Sequence, residues 1–124
     1  MTQNHSDIRT RFIFDDMPIR GMHIRLEKVW HHIVNQKHYP VAIRRALGEL
    51  LAAGSLLSAN LKNEGTLIVQ VQGQGRLKML VVEATSENTV RATARWDETA
   101  EIRDDESLTA LLGENSVFVL THQP

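Results

Sequence analysis

The sequence predicts a single α+β domain, in which a largely antiparallel sheet packs against a central long helix and a second helix. Three observations predict this class. A β-hairpin signal surrounds Gly73–Arg76, an apolar repeat of helical period covers Val41–Lys62, and strict apolar–polar alternation marks Thr89–Trp96. At 124 residues, 42% of them hydrophobic, the chain is long enough to build one core.

The first elements are two strands and a helix. We expect residues 1–10 to be loosely attached and a strand to cover Arg11–Phe14. The alternation over Met22–Leu26 predicts a second strand. From Glu27 the apolar residues recur at helical spacing, and this helix should end before Pro40, because the residue before a proline avoids the α region.

The central helix is predicted over Val41–Lys62, where apolar residues recur at steps of three and four. Small residues between them favour close packing on at least two neighbours. Gly65 follows at a C-cap position and should end the helix.

The clearest β signal is a hairpin of Thr66–Gln72 and Leu77–Ala84, with Gln72 opposite Leu77. One face is wholly apolar and should meet the central helix; it carries Leu67, Val69, Val71, Leu80 and Val82. The other face is mixed and carries Ile68, Gln70, Gln72, Leu77, Met79, Val81 and Glu83.

The remaining elements complete the order β β α α β β β α β. A third strand, Thr89–Trp96, follows a turn at Thr85–Asn88. Ser107–Gly113 is a short helix that ends in a glycine, and Ser116–Thr121 is a last strand.

Composition excludes several classes of function. The formal net charge is −1 without a basic half, which is a poor electrostatic start for binding nucleic acid. There is no cysteine, so disulfides, thiolate catalysis and cysteine-bound zinc are excluded within this chain. The charge-free stretch Leu50–Leu61 is too short to span a bilayer, and the polar Met1–Thr10 does not resemble a secretory signal.

No motif supports catalysis or a metal site. Gly73-x-Gly75 leads into a strand, so turn glycines are favoured over a phosphate loop. Ser55 and Ser58 lack an adjacent base and are read as packing residues. Three weaker candidates are also interpreted without a function. The six histidines do not have the spacing of a metal site; they are His5, His23, His31, His32, His38 and His122. The pairs Asp15–Asp16 and Asp104–Asp105 are interpreted as turn and cap residues, and the basic residues Arg76, Lys78, Arg91 and Arg95 as a solvated sheet face.

Several stretches of the sequence carry a family resemblance. In order, these stretches are Arg11–Phe14 with Ile19–Gly21, His38–Pro40, Leu47–Ala53 continuing through Ser58–Lys62, Gly65–Gly75, and Leu80–Glu83. They are spread over residues 11–83. They resemble the 33 kDa chaperonin family, the redox-regulated heat-shock holdases of bacteria. The Glu-Leu-Leu-Ala stretch joined to the Gln-x-Gln-Gly-x-Gly turn is the most specific part of the resemblance.

The resemblance implies a cytoplasmic, ATP-independent holdase that binds unfolded or misfolded proteins and prevents their aggregation under oxidative stress. It also implies a C-terminal switch, in which four cysteines spaced Cys-x-Cys and Cys-x-x-Cys hold zinc until oxidation releases it. The sequence ends at Pro124 without any cysteine, so none of these ligands can be carried over. We therefore expect residues 1–124 to be a truncated N-terminal chaperone core, whether the truncation is engineered or natural.

The mixed hairpin face is the candidate surface for clients or for self-association. Ile68, Leu77, Met79 and Val81 make it too apolar for plain solvent. The last strand, Ser116–Thr121, favours a homodimer, with strand exchange as one arrangement. Neither a nucleic acid nor a membrane is an expected partner.

Three hypotheses remain open at this point. The chain is a holdase core that lacks its sensor, a structural or dimerisation fragment without client binding of its own, or an unrecognised hydrolase or small-ligand domain. The third would require a convergent polar pocket.

Overall fold

Strands and helices follow one another in the predicted order in the computed structural model, which describes residues 7–61, 64–87 and 89–124. The α+β class is confirmed. The elements are β1 (Asp7–Ile13), β2 (Arg20–Leu26), α1 (Glu27–Val34), α2 (Val41–Ser58), β3 (Thr66–Gln72), β4 (Leu77–Thr85), β5 (Val90–Trp96), α3 (Leu108–Leu112) and β6 (Val117–Gln123).

The strands form two antiparallel sheets. β1 and β2 make a two-stranded hairpin, and the other strands make a four-stranded sheet in the order β5-β4-β3-β6. Val69 of β3 lies opposite Val82 of β4 on one side and opposite Leu120 of β6 on the other. The last strand of the chain therefore lies at one edge of the larger sheet.

The core lies between α2 and the four-stranded sheet. Ile43, Leu47 and Leu51 of α2 are almost completely buried, and α2 contacts β3, β4 and β5 as well as β2. Gly54 brings the helix close to the sheet, since a Cβ atom there would lie 2.9 Å from Cγ1 of Val82. The predicted apolar hairpin face is confirmed as the face under the helix, because all five of its residues are buried; they are Leu67, Val69, Val71, Leu80 and Val82.

The predicted hairpin register is wrong by two residues. Gln72 lies opposite Met79 instead of Leu77. A shift of two positions keeps every paired side chain on its predicted face, because side chains alternate with a period of two. Leu77 is the exception: a β-bulge at Lys78 places Leu77 opposite Trp96 and Met79 opposite Arg95. The extra residue turns Leu77 into the core, where it is 0% exposed.

The turn between β3 and β4 is the docking point for α3. The backbone N–H groups of Gln74 and Gly75 both donate to the carbonyl oxygen of Leu112, at 2.9 and 2.8 Å. A Cβ atom on Gly75 would clash with the carbonyl oxygen of Leu111. Gly73-x-Gly75 therefore lies in the connection between β3 and β4, as predicted, and it also accepts close contact with another backbone.

The start of the chain is more ordered than the sequence suggests. Residues 7–10 belong to β1, whereas residues 1–6 of the predicted loose start lie outside the described residues. The carboxylate of Asp7 accepts hydrogen bonds from the backbone N–H groups of Lys28 and Val29, at 2.8 and 3.2 Å. Leu26, the residue at the N-cap of α1, makes no such bond. A residue twenty positions upstream therefore caps α1.

We expect Asp7→Ala to lower the free energy of unfolding by about 1 kcal/mol, because it leaves helix N–H groups without their acceptor. Asp7→Asn should restore most of this loss, since asparagine caps helices about as well as aspartate. Urea denaturation measures both effects. Asp16→Ala, in the turn between β1 and β2, is the control, and an equal loss there would contradict the capping role.

Two predicted boundaries also change. α2 ends at Ser58 rather than Lys62, and the guanidinium of Arg11 donates to the carbonyl oxygen of Ala59 at 2.6 Å. Gly65 is not its C-cap. Gly65 has a φ of 150° and lies against the carbonyl of Gln123 at the end of β6, where a Cβ atom would clash. Residues 62, 63 and 88 lie outside the described residues. Residue 88 is the last residue of the predicted turn Thr85–Asn88.

Candidate functional site

Exposed apolar side chains are the most unusual feature of the described surface, and they are concentrated on two elements. The first group, here called the hairpin patch, contains Ile8, Phe12, Ile13, Phe14, Met17 and Ile19. The second group, here called the β6 patch, contains Val117, Phe118, Val119 and Leu120. Exposed apolar side chains that are grouped in this way mark an interaction site more often than scattered single residues do.

The mixed hairpin face is only partly the surface that the sequence predicts. Ile68, Met79 and Val81 are half-buried on the side of the sheet that faces away from α2. Leu77 is buried in the core and does not belong to that face. Val117 and Val119 lie on this side too, because they are opposite Gln72 and Gln70.

The β6 patch lies on an edge strand that is apolar on both sides. Val117 and Val119 point to the outer side of the sheet, whereas Phe118 and Leu120 lie on the side of α2, opposite Val71 and Val69. Phe118 is nevertheless 60% exposed. Apolar side chains on both faces are typical of a strand that is buried under other elements on both sides of the sheet.

The hairpin patch is held by an aromatic contact across the strands. Phe12 lies opposite Gly21, and its ring occupies the space that a Cβ atom on Gly21 would need. The same ring stacks on Phe14 at a centroid distance of 6.2 Å. Phe12 and Phe14 are thus in contact with each other, yet each is more than 40% exposed.

For the hairpin patch, the sequence predicts only a strand, from the composition of Arg11–Phe14. It predicts the candidate surface on β3 and β4 instead. A signal for the β6 patch was present in the four consecutive apolar residues Val117–Leu120, since an uninterrupted apolar run predicts a strand that is covered on both faces. The run has no such cover among the described residues.

The two buried serines do not form a nucleophilic site. Ser58 donates its hydroxyl to the carbonyl oxygen of Ser55 at 2.9 Å. The hydroxyl of Ser55 has no hydrogen-bond partner among the described residues, so no base activates it. Ser55 lines a cleft of about 310 Å³ whose walls are mixed, with aliphatic side chains such as Ile24 and Leu26 beside the charged Asp7 and Arg9.

The strongest polar contact is structural. Arg76 makes a bidentate ion pair with Glu106, at 2.7 and 2.9 Å, and also donates to the carbonyl oxygen of Glu101. The hydrogen bond from Arg76 lowers the pKa of the Glu106 carboxyl below its usual range, and the same bond raises the pKa of Arg76. This pair joins the turn after β3 to the segment before α3.

The Glu106 carboxylate should stabilise the fold in a pH-dependent way. Because its pKa is lower in the folded state, its contribution is complete above the ordinary glutamate pKa of about 4.3 and is lost as the pH falls through the folded value. We expect Glu106→Gln to be less stable than the wild type at pH 7, with the difference shrinking as the pH is lowered below about 4.

Urea denaturation from pH 7 to pH 3 measures this difference. Asp105→Asn is the matched control, because its ion pair with Arg103 is about 70% exposed on both sides and should contribute little. A difference between Glu106→Gln and the wild type that is independent of pH would contradict the assignment.

The other polar candidates remain dispersed. Asp15–Asp16 and Asp104–Asp105 lie in turns, as predicted. Across residues 7–61, 64–87 and 89–124, histidine and carboxylate side chains form no group of three or more that could hold a metal ion. His5 lies outside those ranges. Within the same ranges, no helix has the length and apolar character needed to cross a membrane.

Comparison with known proteins identifies relatives of the whole chain. Residues 7–124 match the family described as Hsp33 protein. The chain is 82% identical over 121 residues to the 33 kDa chaperonin of Neisseria meningitidis serogroup A, covering 98% of this chain and 40% of that protein. It is 47% identical over 124 residues to the 33 kDa chaperonin of Chromobacterium violaceum, covering 100% of this chain and 41% of that protein.

A third relative is more distant. The 33 kDa chaperonin of Vibrio vulnificus is 35% identical over 119 residues, which are 96% of this chain and 40% of that protein. The chain thus spans about 40% of the length of these curated relatives, in their N-terminal portion. These three relatives are members of a family of chaperones and not of a family of enzymes. Since the family match covers all but the first six residues, the chain belongs to the Hsp33 protein family.

Proposed function

We propose that residues 1–124 are the N-terminal core of an ATP-independent, cytoplasmic holdase that binds unfolding proteins through apolar sheet surface and prevents their aggregation under oxidative stress. The observation that carries this proposal is the exposure of the β6 patch and the hairpin patch. Clients that are merely apolar and extended need surface of this kind and no enclosed pocket.

The outer side of the four-stranded sheet extends the proposed client surface. Ile68, Met79 and Val81 lie there with Val117 and Val119. Polar residues alternate with them, since Gln70 lies between Val81 and Val119, and Gln72 lies between Met79 and Val117. Mixed surface of this type is compatible with reversible binding of many unrelated segments.

The redox switch implied by the resemblance has no place in this chain. Zinc held as in that switch requires cysteine thiolates, and the sequence contains none. We therefore propose that binding by this chain does not depend on oxidant.

Suppression of aggregation tests the proposal. Citrate synthase is heated with and without a several-fold excess of the chain, in the absence of ATP, and light scattering is recorded in reducing and oxidising buffer. We expect slower aggregation to the same extent in both buffers. Normal aggregation in the presence of folded chain would contradict the proposal.

The second candidate function is a dimerisation fragment without client binding, and the uncovered edge of β6 favours it. In this case a homodimer, with strands exchanged between protomers as one arrangement, would cover the apolar strand. An apolar dye separates the two functions. Strong dye binding by the chain supports the holdase. Weak dye binding, together with the mass of a dimer in light scattering, supports the dimerisation fragment.

A further inference from the structure

The hairpin of β1 and β2 forms a sheet of its own beside the main core. Among the described residues its strands pair only with each other, whereas the other four strands form one sheet. Every residue of β1 is exposed, and no residue of β2 is fully buried. Because a two-stranded hairpin is only marginally stable by itself, its stability depends on its contacts with α1 and α2.

Clefts separate part of the hairpin from α2. Met22, Ile24 and Leu26, on the inner side of β2, are only half-buried. A cleft of about 760 Å³ is lined by Met22 and by Ala59, the residue after α2. The cleft of about 310 Å³ that Ser55 lines has Ile24 and Leu26 in its wall. Since protein interiors leave few voids larger than a water molecule, this interface is packed less closely than the core between α2 and the larger sheet.

Two polar contacts fasten the hairpin to the helices. The guanidinium of Arg11 donates to the carbonyl oxygen of Ala59 at 2.6 Å. The carboxylate of Asp7 accepts hydrogen bonds from two backbone N–H groups in the first turn of α1. β2 leads directly into α1, because Leu26 is the last residue of the strand and Glu27 is the first of the helix. The Leu26–Glu27 junction is therefore the hinge about which the hairpin turns when these hydrogen bonds break.

We propose that the hairpin opens away from α2 as a unit, while α2 and the four-stranded sheet stay folded. Local opening of this kind is expected where few apolar side chains are buried and the backbone hydrogen bonds are exposed. No fully buried residue of the core belongs to β1 or β2, so the opening leaves the core intact.

The opening uncovers apolar side chains that the closed hairpin half-buries. Ile24 and Leu26 of β2 line a groove with Trp30 of α1 and Leu51 of α2. When the hairpin opens, both strand residues leave this groove, and water or another chain reaches its walls. On the basis of the proposed holdase function, the open form offers clients more apolar surface than the closed form does.

Hydrogen exchange of individual amides in increasing urea tests the opening in this chain. We expect the hydrogen-bonded amides of β1 and β2 to exchange at least ~10-fold faster than those of β4, which lies between β3 and β5. Their urea dependence should also be smaller, because a local opening exposes less surface than global unfolding. Equal urea dependence and equal protection in the hairpin and in β4 would overturn the proposal.

Leu47→Ala separates local opening from global unfolding. The substitution weakens the core, which is intact in the closed and open forms but not in the unfolded chain. We expect the amides of β4 to exchange at least ~30-fold faster, and those of the hairpin to keep the wild-type rate. Ile43→Val, a milder change at another buried position of α2, gives the same comparison if the first variant does not fold. Equal acceleration of both groups of amides would overturn the proposal.

Arg11→Ala tests the contact that holds the hairpin closed. It should accelerate exchange of the hairpin amides about 10-fold, as the loss of a hydrogen bond from a charged group predicts. Arg20→Ala is the matched control, since Arg20 lines the same cleft and its guanidinium has no acceptor among the described residues. Equal hairpin exchange in the two variants would contradict the role of Arg11.

The consequence for clients has a separate readout. If the open form binds clients, folded Arg11→Ala should suppress aggregation of citrate synthase more strongly than Arg20→Ala. Equal suppression by the two variants would leave the holdase standing and overturn the contribution of the open hairpin. The exchange rates decide whether the hairpin opens, whatever the aggregation assay gives.

Discussion

Replacing Leu47 by alanine is expected to lower the free energy of unfolding by about 2–5 kcal/mol. Leu47 is 0% exposed and belongs to the core between α2 and the sheet. The substitution removes buried methyl groups and leaves a cavity that the close-packed surroundings fill only partly. Since small domains are stable by only about 5–15 kcal/mol, this change removes a large part of the total.

Leu57→Ala is the matched control for this prediction. It makes the same chemical change in the same helix, but Leu57 is 45% exposed. We expect a loss of at most about 0.5 kcal/mol, because surface substitutions are usually within that range. Urea denaturation followed by circular dichroism measures both variants. Similar midpoints for the two would contradict the placement of the core.

Replacing Gly75 by alanine has the next largest expected effect, a loss of about 1–3 kcal/mol or more. The new Cβ atom would clash with the carbonyl oxygen of Leu111 and would lie 3.0 Å from the carbonyl carbon of Leu112. Backbone atoms cannot rotate away as a side chain can. Either α3 or the turn must move, and the two hydrogen bonds to the Leu112 carbonyl oxygen are strained.

Gln74→Ala is the control, because Gln74 is exposed and lies next to Gly75 in the same turn. Its backbone N–H remains available for the Leu112 carbonyl, so its stability should stay within about 0.5 kcal/mol of the wild type. A well-folded Gly75→Ala variant with an unchanged urea midpoint would show that α3 is not held by this turn.

The sequence predicts those parts of the fold that local patterning determines. The alternation in β3, β4 and β5 fixes which side chains face α2, and this remains correct despite a register that is wrong by two residues. The bulge at Lys78 is not predictable in this way, because it depends on how β4 pairs with β5. The predicted face of Leu77 is therefore wrong.

Contacts between distant residues account for the other differences. Asp7 caps α1, and Gly65 makes room for the end of β6; neither partner is near in the sequence. The candidate surface was predicted on β3 and β4 because their alternation is clear. The exposure of Val117–Leu120 depends instead on the position of β6 at the sheet edge, which strand composition does not give.

The central claim is that this chain acts through exposed apolar sheet surface. Light scattering of heat-unfolded citrate synthase in the presence of Phe118→Lys or Leu57→Lys tests it most directly, once circular dichroism has shown that both variants are folded. We predict that Leu57→Lys suppresses aggregation as the wild type does, and that Phe118→Lys suppresses it several-fold less. Equal suppression by both variants, or none by the wild type, would contradict the claim.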